Sequence, residues 1–202
     1  MQYYWAKFEK KGSDIFRFDT RIYLNPIETP NENDVCVGAI VGKNPGSAKA
    51  LNNNVGLQPI LLDGDKLLPT VRNIILKSYA NAAILVPERG YIQVLNLFYL
   101  CEPILSKAIL SVKKYTTSIV CDSEKKSFPW VWYVWGSESE SLNPFKGRFT
   151  NLLTNHHFYY DKANACIVQK MASPNAFAKH TQGLKHEMVV PHLSTLLDLH
   201  ER

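Results

Sequence analysis

Closely spaced cysteines, long apolar runs and the familiar phosphate-loop and serine-nucleophile patterns are all missing from this chain. Its four cysteines, Cys36, Cys101, Cys121 and Cys166, stand 65, 20 and 45 residues apart, so no C-x-x-C pair exists. That spacing argues against a zinc ribbon, and no metal is expected. Cys36, Cys101 and Cys166 lie in apolar runs and read as reduced, buried thiols. No run of about 18 apolar residues occurs, and the opening MQYYWAKFEKKG has no signal-peptide core. A soluble cytoplasmic protein without a membrane partner is therefore expected. G-x-S-x-G is absent, which leaves Ser47 and Ser173 without a nucleophile elbow. Gly42-Lys43-Asn44-Pro45-Gly46 has neither a G-K-S/T ending nor a G-x-G-x-x-G pattern, so it is no nucleotide-phosphate loop. His156-His157 and the pair His186 and His192 lack acidic partners at metal spacing and read as surface histidines. No cofactor is expected.

What is present is a chain of 202 residues, 46% hydrophobic, enough to bury one sizeable core. A single α/β domain over 1–202 is the expectation, with an N-terminal hairpin and loop in 1–30 and the core in 31–202. A net charge of +5 and a sequence pI near 8.9 permit a polyanionic partner without demanding one. Residues 3–9 and 15–24 are aromatic-rich and flank the turn Lys10-Lys11-Gly12-Ser13-Asp14, which predicts a β-hairpin at the sheet edge. The apolar, β-branched run Val35–Val41 breaks at Gly42 and fits a buried central strand. Ser47 to Leu51 fits the start of a short helix with Ser47 as its cap, and Asn52–Lys66 reads as polar and irregular. Val71, Ile74, Ile75, Ser78 and Tyr79 recur at helical spacing within Pro69–Asn81. Tyr91–Leu95 is a second strand, so strand, helix and strand form a parallel βαβ unit. Glu102–Tyr115 and 145–155 read as helices, Trp130–Trp135 as a third strand, Ala165–Met171 as a fourth, and Leu193–His200 as a terminal helix.

The segment Val41-Gly42-Lys43-Asn44-Pro45-Gly46-Ser47-Ala48 resembles the first motif of the uracil-DNA glycosylase superfamily, closest to its mismatch-specific uracil and thymine branch, whose motif reads G-I-N-P-G. It also resembles bacterial and phage proteins with G-x-N-P-S/G-x-A, a later N-L-F and a W-G; here those pieces are Asn96-Leu97-Phe98 and Trp135-Gly136. Order and spacing agree over roughly Val35 to Pro191, and only the first motif is sharp. The resemblance implies a three-layer α/β/α fold around a mainly parallel four-stranded sheet. It also implies that Asn44 positions the water that attacks the sugar. The iron–sulfur branches of that superfamily use close cysteine pairs, which this chain lacks. For the second motif two candidates stay open: Ser173-Pro174-Asn175, a loose match to a closing H-P-S-like turn, and Gly183-Leu184-Lys185-His186, which sits where the bacterial and phage proteins show G-x-P-x-H-P.

Open α/β sheets place ligands at the carboxyl ends of their strands, so Asn44, Asn96 and Ser173–Asn175 are expected to line one crevice. Gly42, Lys43, Pro45, Gly46 and Ser47 would shape its lip. Asn96 would bond the edge of an extruded base while Phe98 or Tyr99 stacks on its face. Lys49, Lys170, Lys179 and Lys185 surround the expected strand ends and would meet phosphates. Each lysine alone is only a solvated side chain; their co-location is what counts. The resulting expectation is a monomeric, monofunctional DNA glycosylase acting on a mismatched, damaged or modified base, with Asn44 and either Ser173 or His186 as catalytic groups. The phage-associated resemblance adds a hypermodified phage cytosine, and with it antiviral defence, to the substrates expected. A nucleic-acid or nucleotide-binding module of the same fold is the alternative, and a hydrolase of free nucleotides a third.

Overall fold

A computed structural model describes residues 1–47, 49–51, 56–115, 119–136 and 140–201, without the side chain of Glu201. Two long strands, β1 (Gln2–Lys11) and β2 (Asp14–Ile27), form the expected hairpin around Gly12, whose φ of 63° is open to glycine at little cost. Next come β3 (Val35–Gly42), the two-residue β4 (Lys49–Ala50) and β5 (Leu57–Leu61). Helix α1 (Leu67–Ala82) then leads into β6 (Gly90–Asn96). The remainder is α2 (Leu105–Val112), β7 (Val131–Tyr133), the short α3 (Asn143–Lys146), the antiparallel pair β8 (His157–Asp161) and β9 (Cys166–Val168), and α4 (Val190–Glu201).

All nine strands join one sheet in the order β4-β5-β1-β2-β6-β3-β7-β8-β9. The expected four-stranded, mainly parallel sheet is therefore corrected: five of the eight pairings are antiparallel. Only the central block β6-β3-β7-β8 is parallel throughout. The hairpin is not the edge either, because β5 pairs with β1 on its outer side and β4 pairs with β5. The expected irregular stretch Asn52–Lys66 hides β5, which ordinary periodicity misses since Pro59 interrupts it; Asn52–Val55 lie outside the described residues. Ser47 does not start a helix but sits in a turn, with β4 following. The fourth parallel strand is β8, and the expected Ala165–Met171 strand shrinks to β9, which folds back on it. Residues 145–155 give only the end of α3 and a 3-10 turn over Gly147–Asn151.

Strand alternation splits the core in two. Ile40, Ile92, Val94, Trp132 and Phe158 face α1 and α4, while Ala39, Val41, Leu95, Tyr133 and Tyr159 face α2 and α3. Helices thus cover both faces, which is why the central strands are apolar all round. Gly38 permits the tightest approach, since a Cβ there would lie 2.1 Å from the Trp130 indole. Of the three cysteines expected to be buried, Cys36 and Cys101 are partly so and Cys166 is exposed; Cys121 is the buried one.

Candidate functional site

The parallel block brings the carboxyl ends of β3, β6, β7 and β8 to one edge. Just beyond β3, the half-buried Asn44 donates from Nδ2 to the main-chain carbonyl of Glu102 at 2.7 Å. A carbonyl only accepts, so this bond fixes which way the amide lies and leaves Oδ1 as its available acceptor. Pro45 is buried beneath the turn, and Gly46, at φ 68°, carries the chain around it.

Two adjoining hollows open in front of Asn44. The larger, of about 740 Å³, is lined by Asn44, Asp65, Leu67, His180, Gln182 and His186 among others, Pro45, Gly46 and Ser47 included. The smaller, of about 450 Å³, has Lys43, Asn44, Gly136, Phe177, Lys179 and His180 in its wall. Asn44 and His180 belong to both.

His180 is carried there by a segment clipped across the ends of β7 and β8. Gly136 N–H donates to the Ala178 carbonyl at 2.7 Å and Lys179 N–H to the Tyr160 carbonyl at 3.0 Å. The Gln182 N–H donates to His180 Nδ1 at 3.1 Å, which requires that nitrogen to be unprotonated. Burial first, then the nearby Lys43 charge, pushes the His180 pKa below its ordinary value, while Asp65 opposes the shift. A neutral imidazole with its proton on Nε2 is the consequence. Lys43 is half-buried as well, and burial lowers the pKa of its ammonium.

Asp65 holds the other wall. Its Oδ1 accepts from the Leu67 and Leu68 N–H groups at 2.8 and 3.3 Å, capping α1, and its Oδ2 lies 3.8 Å from Nη1 of the buried Arg17. Arg17 is thereby a buried charge behind that wall, with Nε and Nη1 lacking a hydrogen-bond partner among the described residues.

Of the residues expected from sequence, Lys43, Asn44, Pro45, Gly46, Ser47, Lys179 and His186 line these hollows. Gly42 lies buried at the end of β3, where a Cβ would meet Asn96 Oδ1 at 3.1 Å. Asn96, Phe98 and Tyr99 do not reach the cleft and are buried at 0%, 2% and 1% exposure, which corrects their expected roles in reading and stacking on a base. Arg148 pins that strand end by donating to the Asn96 and Leu97 carbonyls, and Tyr99 donates its hydroxyl to Glu124 at 2.5 Å.

Ser173, Pro174 and Asn175 line neither hollow, so the structure does not bring them together with Asn44. The Pro174 carbonyl accepts from the buried Lys146 and the Asn175 side chain from Asn143. Between the two second-motif candidates, it is therefore Gly183 to His186 that borders the cleft, through Gly183, Leu184 and His186. His186 Nδ1 sits 3.0 Å from Lys77 Nζ. Lys49 pairs with Asp63 at 3.0 Å, and Lys49, Lys170 and Lys185 are exposed and contribute nothing to the lining.

Sequence reasoning missed His180 and Asp65. Asp65 closes the D-G-D turn just before α1 and could have been found as its cap; His180 has no signal of its own. Elsewhere a hollow of about 500 Å³ involves Lys7, Glu9, Asp19, Cys121, Asp122 and Lys126. Lys7 there pairs with Glu9 at 2.9 Å, and Asp19 and Asp122 share the wall, so it offers less to an anionic ligand than the cleft at Asn44.

Among the described residues, no cluster of three His, Cys, Asp or Glu side chains is placed to hold a metal ion, and no helix is long and apolar enough to cross a membrane. Comparison of the chain with protein-family models, curated proteins and solved structures finds no match.

Proposed function

We propose that this protein is a monofunctional DNA glycosylase, hydrolysing the N-glycosidic bond of a mismatched, damaged or modified base to leave an abasic site. One observation carries the reading: Asn44 is tethered through Nδ2 and keeps Oδ1 at the wall of an open cleft at a strand end. An amide acceptor can orient a water for attack on the sugar carbon without removing its proton outright. The new bond forms from water oxygen to C1′ as the C1′–N bond breaks, the electron pair leaves with the base, and the water's proton is released to solvent, which protonates the departed base. A donor on the departing base then lowers the barrier. His186, which lines the larger hollow, is the group there suited to that task. The N-P-G motif resemblance supports the same assignment.

The larger hollow, about 740 Å³, supports a base larger than an unmodified pyrimidine, a modified cytosine included; the resemblance to phage-associated proteins is what adds a role in defence. Incubation with duplexes containing uracil, G·T, hydroxymethylcytosine or glucosylated hydroxymethylcytosine, followed by alkaline cleavage at abasic sites, tests the proposal. A product on at least one is expected, and none on any of them removes it.

Burial of Asn96, Phe98 and Tyr99 takes away the base-reading set and favours a second reading, a nucleic-acid or nucleotide-binding module without chemistry. Saturable binding with substrate recovered intact is its signature.

A further inference from the structure

The smaller hollow has an unbalanced charge. Its wall includes Lys43, Lys179 and His180, and among the described residues no carboxylate contributes to it. Lys43 has no hydrogen-bond or ion-pair partner among the described residues, although it is half-buried. Lys179 donates to the Gln182 carbonyl at 3.1 Å, which steers its ammonium without neutralising it. Gly136, at φ 84°, keeps the space clear, since a Cβ there would stand 3.7 Å from Lys43 Nζ and 3.8 Å from His180 Cβ. The charged groups around His180 are Lys43 and Lys179, which disfavour its protonation, and Asp65, which favours it from the adjoining wall. Partly desolvated cations without counter-charge are costly, and an anion with several acceptor oxygens relieves all of them at once.

We propose that the hollow beside Asn44 is a phosphate subsite, in which the Lys43 and Lys179 ammonium groups and the His180 Nε2–H hold a backbone phosphate of a nucleic-acid strand. It rests on the function proposed above only for the carrier of that phosphate. The subsite also separates two tasks along one cleft: the strand is gripped at Lys43, and the adjacent amide faces the larger hollow.

Inorganic phosphate titrated into the isotopically labelled full chain, with the His180 ring followed by NMR, tests the subsite directly. Phosphate is expected to move the ring signals and to raise the apparent His180 pKa, because an anion beside it favours the imidazolium. Lys43→Met and Lys179→Met should each weaken phosphate by about tenfold or more, the worth of one charge-assisted hydrogen bond. Lys43→Arg should retain most of the affinity, and Lys185→Met, outside the hollow, all of it. With a short DNA strand, Lys43→Met should reduce the slope of log affinity against log salt by about 1.

Ring signals unmoved by phosphate, or a phosphate affinity in both Met variants equal to that of the wild type, would overturn the subsite. Phosphate binding that depends on Lys43 but an unchanged salt slope would overturn the nucleic-acid carrier in favour of a free phosphate compound. Borohydride trapping of a covalent adduct on abasic DNA, lost in Lys43→Arg, would make Lys43 an amine nucleophile and overturn its role as an anion ligand. Failure of the glycosylase assay with the phosphate effects intact would sink only the proposed activity; abasic product with the phosphate effects absent would sink only the subsite.

Discussion

Two asparagines stand at the same edge of the sheet and meet opposite fates. Asn96 is the last residue of β6 and pairs across the ladder with Gly42, the end of β3, and Asn44 follows Gly42 by two residues. Asn44 is half-buried, makes one side-chain hydrogen bond and borders both hollows. Asn96 is wholly buried, and among the described residues neither its Nδ2 nor its Oδ1 finds a hydrogen-bond partner. A strand's carboxyl end is therefore only a necessary condition for a ligand-facing side chain. What decides is whether the chain turns out of the sheet before the residue, as Gly42 and the Pro45-Gly46 turn allow, or is clamped within it, as Arg148 clamps Asn96.

The strongest way to break this contrast is to release the clamp. Arg148 donates to the Asn96 and Leu97 carbonyls and pairs with Glu124 at 3.0 Å, with both side chains mostly buried. Arg148→Met should destabilise the fold by about 3–5 kcal/mol, since it strands a buried carboxylate and two carbonyls. Urea unfolding measures this, and a loss under about 1 kcal/mol would mean that Arg148 does not hold the strand end.

On the open side, Asn44→Ala should lower glycosylase rate by on the order of a hundredfold or more, about 2.7 kcal/mol of transition-state stabilisation. Its stability should fall by only about 1 kcal/mol for the lost bond to Glu102. Equal rates for the variant and the wild type would remove Asn44 from the chemistry and leave it a loop tether.

Much of the contrast could be read in advance, and some of it could not. The Val35–Val41 run, the helix through Val71 and Tyr79, and the strand ending at Asn96 each carry a local signal, whether β-branched runs or helical spacing, and the structure has β3, α1 and β6 there. The turn at Asn44 is equally local. The exclusion of Asn96 is not, because Arg148 lies 52 residues away and nothing near Asn96 announces it. The cleft's second wall fails for the same reason: His180 arrives only because β9 folds back and residues 178–179 return across the ends of β7 and β8. Expecting β9 as a parallel strand put Ser173–Asn175 at the site in its place.

A smaller effect of opposite sign sharpens the comparison. Asn96 carries two buried polar atoms without partners among the described residues, so Asn96→Leu, similar in size, should stabilise the fold by about 1–2 kcal/mol. It should leave catalysis unchanged, because Asn96 lines neither hollow. A destabilisation of more than about 1 kcal/mol would place a hydrogen-bonding partner beside that amide and end the view of Asn96 as a spectator.

The finest test concerns the contact that joins the two regions. A Cβ on Gly42 would come within 3.1 Å of Asn96 Oδ1 and 3.5 Å of Leu67 Cδ2. Gly42→Ala alone should therefore cost about 1 kcal/mol, as mild overpacking does. In an Asn96→Ala background the nearest obstructing atom is gone, and the same change should cost close to nothing. A coupling of about 0.5–1 kcal/mol in that double-mutant cycle would show that the glycine at the end of β3 is selected by its neighbour on β6. Additive effects would instead trace the cost to Leu67 or to the turn that carries Asn44 outward, and the two strand ends would then be independent.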